Sequence, residues 1–326
     1  MILLLFAMLS IILGSVNLPF KDIFNAFTGG EAPQYVKDIL FTYRLPKTFT
    51  AIMAGASLSI CGLQMQTIFR NPLADPYILG ISSGAGLGVA LFVMGFSIFG
   101  TGLSGSLFSN LGIATSAWLG ALTVTLLLLL LSSRLKDNLS LLIFGIMLGS
   151  VITAIISLLQ YFSTSSALKV FVVWTMGSFA GLTPVQLWIL TLLVIAGFII
   201  SVINIKDLNV LLAGEAYAKS LGVDLERSRK RILIATTLLA GGITAFCGPI
   251  GFIGIAVPHI TRMIIKNSDH RVLLPLTALT GATVMLFADT VAQLPGQTGI
   301  IPINTVSALI GVPVILYIIL KNRRWF

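Results

Sequence analysis

Few side chains in this 326-residue sequence could carry out covalent or metal chemistry. The chain has two histidines, His259 and His270, and two cysteines, Cys61 and Cys247. A zinc site needs three or four such ligands, so we expect this chain to bind no metal and to carry no cofactor of its own. The two cysteines cannot form a disulfide framework. We expect His259, which follows a proline, to have a structural role at a helix end, and His270 to be solvated.

The segment GISSGAGLG (80–88) contains one candidate nucleophile. Gly80, Ser82 and Gly84 fit the G-x-S-x-G pattern of many hydrolases. However, no strand precedes the segment, and only the two histidines could activate the serine. The same glycines, together with Gly88, recur every four residues, which places them on one helix face and permits close helix packing. We therefore favour a packing role over an intramembrane hydrolase.

Asp289 is the only acid after Asp269, and it lies in an apolar stretch. A carboxylate within a membrane is a candidate for proton coupling. A proton-driven porter would need several such groups, so we expect Asp289 to lie near the outer end of its helix, in water or as a cap. The chain also has no Gly-Lys dipeptide, and hence no Walker A loop for ATP.

The composition is typical of a membrane protein. Hydrophobic residues make up 56% of the chain and charged residues 10%, and 58 consecutive residues between Asp75 and Arg134 carry no charge. A helix needs about 20 apolar residues to cross a bilayer, so such runs hold one or two crossings each. The net charge of +9 does not indicate a nucleic-acid partner, because the cations lie at the ends of apolar runs, where membrane lipid attracts them.

Segment 205–231 has six cations and no run long enough to span, which predicts a cytoplasmic loop. Counting back from it predicts six spans, at about 1–17, 48–69, 77–98, 112–132, 139–161 and 184–204. Segment 232–261 contains a break, GPIGFIG. Two short helices meeting there place 15 cations inside and 5 outside, whereas one crossing places 9 inside and 11 outside. We therefore predict an all-α polytopic membrane protein with ten transmembrane helices and both termini in the cytoplasm.

Two segments hint at an internal repeat. AGASLSICG (54–62) and AGGITAFCG (240–248) share Ala, Gly, Cys and Gly in register. In the ten-helix arrangement the first segment runs inward and the second outward, which is typical of the inverted repeats of transporters.

Two polar segments leave alternatives open. In FRNPLADP (69–76), Pro72 and Pro76 forbid a continuous helix, so the segment is either an ordinary turn or a constriction. GEAYAKSLGVDLERSRKR (214–231) predicts a short helix, a stop at Gly222 and a second helix capped by Asp224. This segment either lies against lipid or docks on a partner protein.

The segment RLPKTFTAIMAGASLSICGLQMQTIFRNPLADPYILGISSGAG resembles the FecCD family of ABC-importer permeases. The segment GPIGFIGIAVPHITRMI and the later motifs DHRVLLP, ADTVAQ and PINTVSALIGVPVILYIILK resemble the same family. The resemblance covers nearly the whole chain. Members of this family import iron–siderophore complexes, haem and vitamin B12, and they have ten helices per subunit.

The resemblance implies a larger assembly in a bacterial cytoplasmic (inner) membrane. Two copies of the chain would form a homodimer, with a path on the two-fold axis lined by the fifth and tenth helices. Two ATPase subunits would bind below and hydrolyse ATP, and a periplasmic or surface-tethered substrate-binding protein would dock above. The whole of 1–326 would then be one transmembrane permease domain, with a coupling loop at about 205–231.

The resemblance also assigns roles to individual residues. The ATPase-coupling helix would include Glu215, Ala216, Tyr217, Lys219 and Gly222. A cytoplasmic gate would include Asn71, Leu73, Asn138 and Leu139. The match at Asn71 and Leu73 is residue by residue, whereas the segment LKDNLS around Asn138 departs from the Ser/Thr-rich pattern of the family.

The predicted topology places 18–47 outside the cytoplasm, and there Arg44 and Lys47, in the segment YRLPKTFT (43–50), are two of only five cations on that side. The resemblance implies that these residues pair with carboxylates of the substrate-binding protein. Lys47 occupies a position where the family commonly has Arg. Lys keeps the positive charge, but it cannot form the two parallel hydrogen bonds that an Arg guanidinium makes to a carboxylate. Gln293 occupies a position where the resemblance implies a further cation. We therefore expect the docking surface of this chain to differ in charge from that of other family members.

These observations predict the permease subunit of an ATP-driven importer for a metal chelate, working by alternating access. We favour an iron–siderophore complex or haem over cobalamin, and we expect no enzymatic activity in this chain. The alternative is an ion-coupled secondary transporter that acts without an ATPase partner.

Overall fold

Helices form along this chain because only internal hydrogen bonds can satisfy the backbone of its long apolar runs within a bilayer. The computed structural model describes residues 1–14, 16–95, 110–132, 138–293 and 301–321, and every regular element in these ranges is a helix. Within these ranges, six helices are long and apolar enough to cross a membrane. The chain is therefore an all-α polytopic membrane protein.

The first part of the described chain contains α1 (Ile2–Ile12), α2 (Phe20–Thr28), α3 (Gln34–Asp38), α4 (Leu45–Ile68), α5 (Ile81–Ala90), α6 (Asn110–Ser132), α7 (Asn138–Phe162), α8 (Ser165–Met176) and α9 (Pro184–Ile203). A π-helical segment, Ile39–Arg44, joins α3 to α4, so that 34–68 is one continuous helix of 35 residues. Pro46 lies in the first turn of α4, where its missing N–H is tolerated. A 3₁₀ turn, Pro76–Leu79, precedes α5.

The second part contains α10 (Ile205–Leu211), α11 (Glu215–Ser220), α12 (Leu225–Thr236), α13 (Gly242–Cys247), α14 (Ile253–Ile265), α15 (His270–Ala292) and α16 (Ile303–Lys321). A π-helical segment, Thr237–Gly241, joins α12 to α13. The predicted pair of helices meeting at GPIGFIG is confirmed, because α13 ends at Cys247 and α14 begins at Ile253.

The backbone of this break is satisfied by two side chains from other elements. The N–H of Ile250 donates to the hydroxyl of Tyr77 (3.2 Å), and the N–H of Gly251 donates to Oδ1 of Asn304 (3.1 Å). Phe252 has a positive φ of 70°, which allows the chain to turn into α14. Irregular backbone at membrane depth needs such partners, since lipid offers none.

Helix α4 lies at the centre of the packing, and glycines bring its backbone against two neighbours. A Cβ atom on Gly55 would lie 2.2 Å from the carbonyl oxygen of Gly281 in α15. A Cβ atom on Gly62 would lie 1.8 Å from the carbonyl oxygen of Gly254 in α14. These contacts are possible only without side chains, as in other close membrane-helix pairs.

The predicted packing role of the glycines in GISSGAGLG is confirmed. A Cβ atom on Gly84 would lie 2.7 Å from the carbonyl oxygen of Gly120, and one on Gly88 would lie 2.0 Å from that of Ser116. Both partners belong to α6, so this glycine face holds α5 and α6 together.

Some expectations differ from the structure or lie outside it. The sequence did not predict four short helices, α2, α3, α8 and α10, because all of them lie in segments treated as connections between spans. Counting back from the cytoplasmic loop also places SSRLKDN (132–138), between the fourth and fifth predicted spans, in the cytoplasm. Most of this segment and of the C-terminal tail KNRRWF, at 133–137 and 322–326, lies outside the described residues. The number of crossings and the location of the termini stay predictions.

Candidate functional site

The turn after α4 is shaped by Asn71 and held by a histidine. The side chain of Asn71 accepts the N–H of Leu73 (2.9 Å), which is the local bond that favours Asn in turns. The Nε2 atom of His259, in α14, donates to the carbonyl oxygen of Pro72 (2.8 Å). His259 thus has the structural role predicted for it, although it lies inside α14 and not at its end.

The predicted coupling segment forms the expected short helix. Helix α11 runs from Glu215 to Ser220 between Gly214 (φ +108°) and Gly222 (φ +81°), backbone conformations that favour glycine. The side chain of Asp224 accepts the N–H of Arg227 (3.0 Å) and caps α12, as predicted.

One face of α11 is exposed. Ala216, Tyr217 and Lys219 are exposed, and Leu221 just after the helix is 56% exposed. Ala218 is fully buried and faces the rest of the protein. Four of the coupling residues inferred from the sequence therefore lie on an open surface, namely Ala216, Tyr217, Lys219 and Gly222, whereas Glu215 is partly buried.

Asn138, the first residue of α7, joins the predicted gate to α11. Its side-chain N–H₂ group donates to the carbonyl oxygen of Ile68, at the end of α4, at 2.7 Å, and also to the carboxylate of Glu215. The next residue, Leu139, is 65% exposed. The structure thus brings Asn138 and Glu215, predicted to serve different roles, into direct contact.

A second polar network joins α10 to the end of α4 and to the start of α15. The amide of Asn209 donates to Asp269 (2.6 Å), and its oxygen accepts from Nδ1 of His270 (2.8 Å). The Nε2 atom of His270 lies 2.9 Å from the hydroxyl of Thr67 in α4. Hydrogen bonds from the N–H of Arg271 and from Asn209 lower the pKa of the Asp269 carboxyl.

The expectation that His270 is solvated is wrong. His270 is fully buried, because Asp269 caps α15 and thereby directs the following ring against α4. Sequence reasoning also missed Asn209, an unremarkable polar residue whose role depends on contacts with residues about 60 positions away.

Asp75, an acid of the segment FRNPLADP whose residue type suits turns and caps, is buried, which the sequence did not predict. It caps the 3₁₀ turn by accepting the N–H of Tyr77 (2.8 Å) and is 6% exposed. Burial raises the pKa of its carboxyl to about 6. A Cβ atom on Gly254 would lie 2.9 Å from the other carboxylate oxygen, so α14 covers this acid closely.

At the other end of α4, the two predicted docking cations are bound within the chain. Arg44 is 7% exposed, and its guanidinium donates to the carbonyl oxygens of Ile11, Ile12 and Val16. It thereby satisfies two carbonyls in the last turn of α1, where intrahelical partners are lacking, and one in the segment that follows the helix. The Nζ atom of Lys47 lies 2.8 Å from Oδ1 of Asp289.

The expectation that Asp289 lies in water or acts as a cap is wrong. Its side chain is 3% exposed and is held by Lys47, by the hydroxyl of Ser10 (3.3 Å) and by the amide of Gln293 (3.1 Å). Burial of a carboxylate needs such partners, which the sequence could not place beside it. The docking role of Arg44 and Lys47 stays a prediction.

The described residues contain no group of three His, Cys, Asp or Glu side chains placed to hold a metal ion. Ser82 has no histidine to activate it, because His259 bonds to Pro72 and His270 bonds to Asn209.

A groove of about 510 Å³ lies between α7 and the start of α5. Its polar side chains include Ser83, Ser150 and Thr153.

Comparisons with known proteins agree with this architecture. The model of the FecCD transport family matches residues 2–321. The vitamin B12 import system permease protein BtuC of Salmonella arizonae is 40% identical over 282 residues, which cover 86% of this chain and 82% of that protein. The corresponding protein of Klebsiella pneumoniae is 37% identical over 285 residues, covering 87% and 83%.

A solved structure shows the same fold. It is an inward-facing conformation of a metal-chelate type ABC transporter, with a TM-score of 0.84 and 33% identity, and the match covers 98% of this chain and 96% of that one. The resemblance inferred from the sequence motifs is thus confirmed. The chain belongs to the FecCD transport family, and the two relatives are named as permease proteins of an import system.

Proposed function

We propose that this chain is the permease subunit of an ATP-driven importer that moves a metal chelate across the bacterial cytoplasmic membrane by alternating access. The observation that carries this proposal is α11, whose outer face is exposed while Glu215 at its start bonds to Asn138 of α7. A docking ATPase could move such a helix and thereby the ends of α4 and α7. The names of the relatives, which are import system permeases, support this direction of transport.

The proposed topology has ten spans with both termini in the cytoplasm. Besides the six long helices, the part of the chain that the structure describes contains five shorter apolar ones, at Ile2–Ile12, Ile81–Gly95, Ser165–Met176, Ile253–Ile265 and Ile303–Tyr317. We assign all of them except Ser165–Met176 as crossings. The charge distribution supports this assignment, and the opposed segments 54–62 and 240–248 would belong to an inverted repeat.

The proposed assembly contains two copies of the chain, each a single permease domain over 1–326, together with two ATPase subunits and a substrate-binding protein. ATP would bind only to the ATPase subunits, and this chain would hold no cofactor. Exposed apolar side chains on α7 and α16, including Met147, Val151, Leu309 and Leu316, are available for contact with a second copy. Asn71, Leu73, Asn138 and Leu139 are the proposed gate residues.

The proposed substrate class is a metal chelate. Relatives named for vitamin B12 and a structural neighbour of the metal-chelate type support this class. The groove beside α7 offers the hydroxyls of Ser83, Ser150 and Thr153 among glycines, which suits a large ligand with peripheral amides or hydroxyls. Within the class, we propose to test cobalamin beside haem and the iron–siderophore complexes favoured by the sequence.

The proposed dock for the substrate-binding protein is the end of α4 that carries Arg44 and Lys47. Both cations lie in the wall of a cavity of about 410 Å³ that also includes Tyr43 and Gln293. The residues that line this cavity include two cations and one acid, Asp289. The cavity wall therefore has a net positive charge that would attract a carboxylate.

Transport in proteoliposomes tests the proposal. The chain is reconstituted with the ATPase and binding protein of its own transport system and presented with cyanocobalamin, haemin, a ferric hydroxamate or a ferric catecholate. We expect ATP-dependent uptake of one of these compounds. Uptake by the chain alone, driven by a proton gradient, would instead establish the secondary-transporter alternative and overturn the proposal.

A further inference from the structure

The side chain of Asn138 bonds to two other elements at once. One N–H of its amide donates to the carbonyl oxygen of Ile68, which ends α4, and the amide also donates to the carboxylate of Glu215, which begins α11. Asn138 is itself the first residue of α7. Three helices that are far apart in sequence therefore meet at this one amide group.

The orientation of this amide is determined by its surroundings. Both partners are hydrogen-bond acceptors, so only the N–H₂ end can face them, and the opposite orientation would place an oxygen against a carbonyl and a carboxylate. The Oδ1 atom of Asn138 is buried and has no hydrogen-bond partner within the part of the chain that the structure describes. Both bonds are thus donated by Nδ2, although the other polar atom of the side chain, Oδ1, is left without a hydrogen bond.

Helix α11 depends on such contacts for its position. It has only six residues, too few for a helix to be stable by itself. Gly214 and Gly222 flank it with positive φ values, and Ala218 is its one buried residue. The guanidinium of Arg70, from the turn after α4, lies 3.3 Å from the Cβ position of Gly214. Asn138 therefore supplies the hydrogen bond that joins α11 to the ends of α4 and α7.

We propose that Asn138 is a positioning residue that makes α11 and the turn at 69–74 move together. A displacement of α11 would be passed through the amide to the Ile68 carbonyl, which directly precedes that turn. This inference rests on the proposed function for the origin of the displacement, a docking ATPase. The joint motion itself is a property of the chain alone and is testable without any partner.

Hydrogen–deuterium exchange on the chain in lipid nanodiscs tests the joint motion. The variants Asn138→Ala and Asn138→Asp each remove both donated bonds, and Asp adds repulsion against Glu215. We expect exchange to become about tenfold faster in α11 and also in 69–74, since a bond to a charged group is lost. The matched control is Asn267→Asp, because this exposed residue uses only its oxygen, which Asp also provides.

A double-mutant cycle shows whether Asn138 links α11 to the turn at 69–74 or affects each of the two segments independently. Glu215→Ala should also speed exchange in 69–74, and it should add little to the effect of Asn138→Ala, because both changes break the same connection. Faster exchange in only one of the two segments, or additive effects in the cycle, would overturn the inference.

Uptake and ATP hydrolysis in proteoliposomes distinguish a coupling role of Asn138 from a purely structural one. We expect Asn138→Asp to retain ATP hydrolysis and lose most uptake, and Glu215→Gln to restore part of it, because Gln can donate to the new carboxylate. Absence of this rescue would overturn the coupling role. If the wild type shows linked exchange but no ATP-dependent uptake, the proposed function fails while the link stands.

Discussion

The ammonium group of Lys47 lies 2.8 Å from Oδ1 of Asp289, and the pair is largely removed from solvent, with side-chain exposures of 13% and 3%. The second carboxylate oxygen is held by Ser10 and Gln293. These bonds connect α1, α4 and α15 at one point. A buried ion pair is stabilising relative to either partner alone, because removal of one leaves an uncompensated buried charge.

We predict that Asp289→Asn lowers the free energy of unfolding by about 3 kcal/mol, because Lys47 then loses its counter-charge in a buried site. Equilibrium unfolding in mixed micelles measures this change. The control is Arg227→Gln, which breaks an exposed pair with Asp224, where the side chains are 77% and 51% exposed. That change should cost less than about 0.5 kcal/mol. Equal effects of the two variants would contradict the prediction.

Local features of this fold could be predicted from the sequence because they depend on neighbouring residues. The stop at Gly222, the cap at Asp224 and the break at GPIGFIG all follow from backbone preferences that act over a few positions. The glycine face of GISSGAGLG was predictable for the same reason, since helical periodicity determines which residues share a face.

Polar contacts between distant helices could not be predicted in this way. Lys47 and Asp289 are 242 positions apart, and Asn138 and Glu215 are 77 apart. Which side chains meet across such distances depends on how the helices pack. The same limit explains the error at His270, where a polar sequence context indicated solvent but the packing of α15 on α4 buries the ring.

The buried carboxyl of Asp75 predicts a dependence of stability on pH. Burial raises its pKa to about 6 in the folded state, whereas the unfolded value is about 3.9. The folded state therefore binds more protons between these values, and stability decreases as the pH rises from about 4 to about 6. Above that window the full destabilisation, about 2–3 kcal/mol, is present.

Asp75→Asn removes this charge while its oxygen can still accept the N–H of Tyr77. We expect the variant to be more stable than the wild type at pH 7.5, and the difference to shrink towards zero at pH 4. Unfolding in the same micelles at the two pH values measures both numbers. A difference that does not change with pH would contradict the assignment to Asp75.

We predict that Gly62→Ala destabilises the protein by at least about 3 kcal/mol or prevents its folding. The new Cβ would lie 1.8 Å from the carbonyl oxygen of Gly254, so the α4 and α14 backbones would have to separate. Gly86→Ala in α5 is the matched control, since the nearest atom to a Cβ there is Cδ1 of Ile156, at an ordinary contact distance of 3.4 Å. Comparison of their melting temperatures and yields tests the prediction, and similar values for both variants would contradict it.

The exposed face of α11 allows its proposed contact with an ATPase subunit to be tested without disturbing the fold. Ala216 is exposed, and an acid in the first turn of a helix is favourable to the helix dipole, so Ala216→Glu should fold normally. Gly222 is a less suitable position, because its φ of +81° makes any side chain strained.

We expect Ala216→Glu to reduce ATP-dependent uptake about tenfold or more, because a charge buried against the ATPase would weaken the contact. Stimulation of ATP hydrolysis by the loaded binding protein should be lost in parallel. Asn267→Asp, which adds one negative charge on another exposed segment, should leave both activities unchanged. Normal substrate-stimulated hydrolysis and normal uptake by Ala216→Glu would show that the surface of α11 does not transmit the ATPase motion.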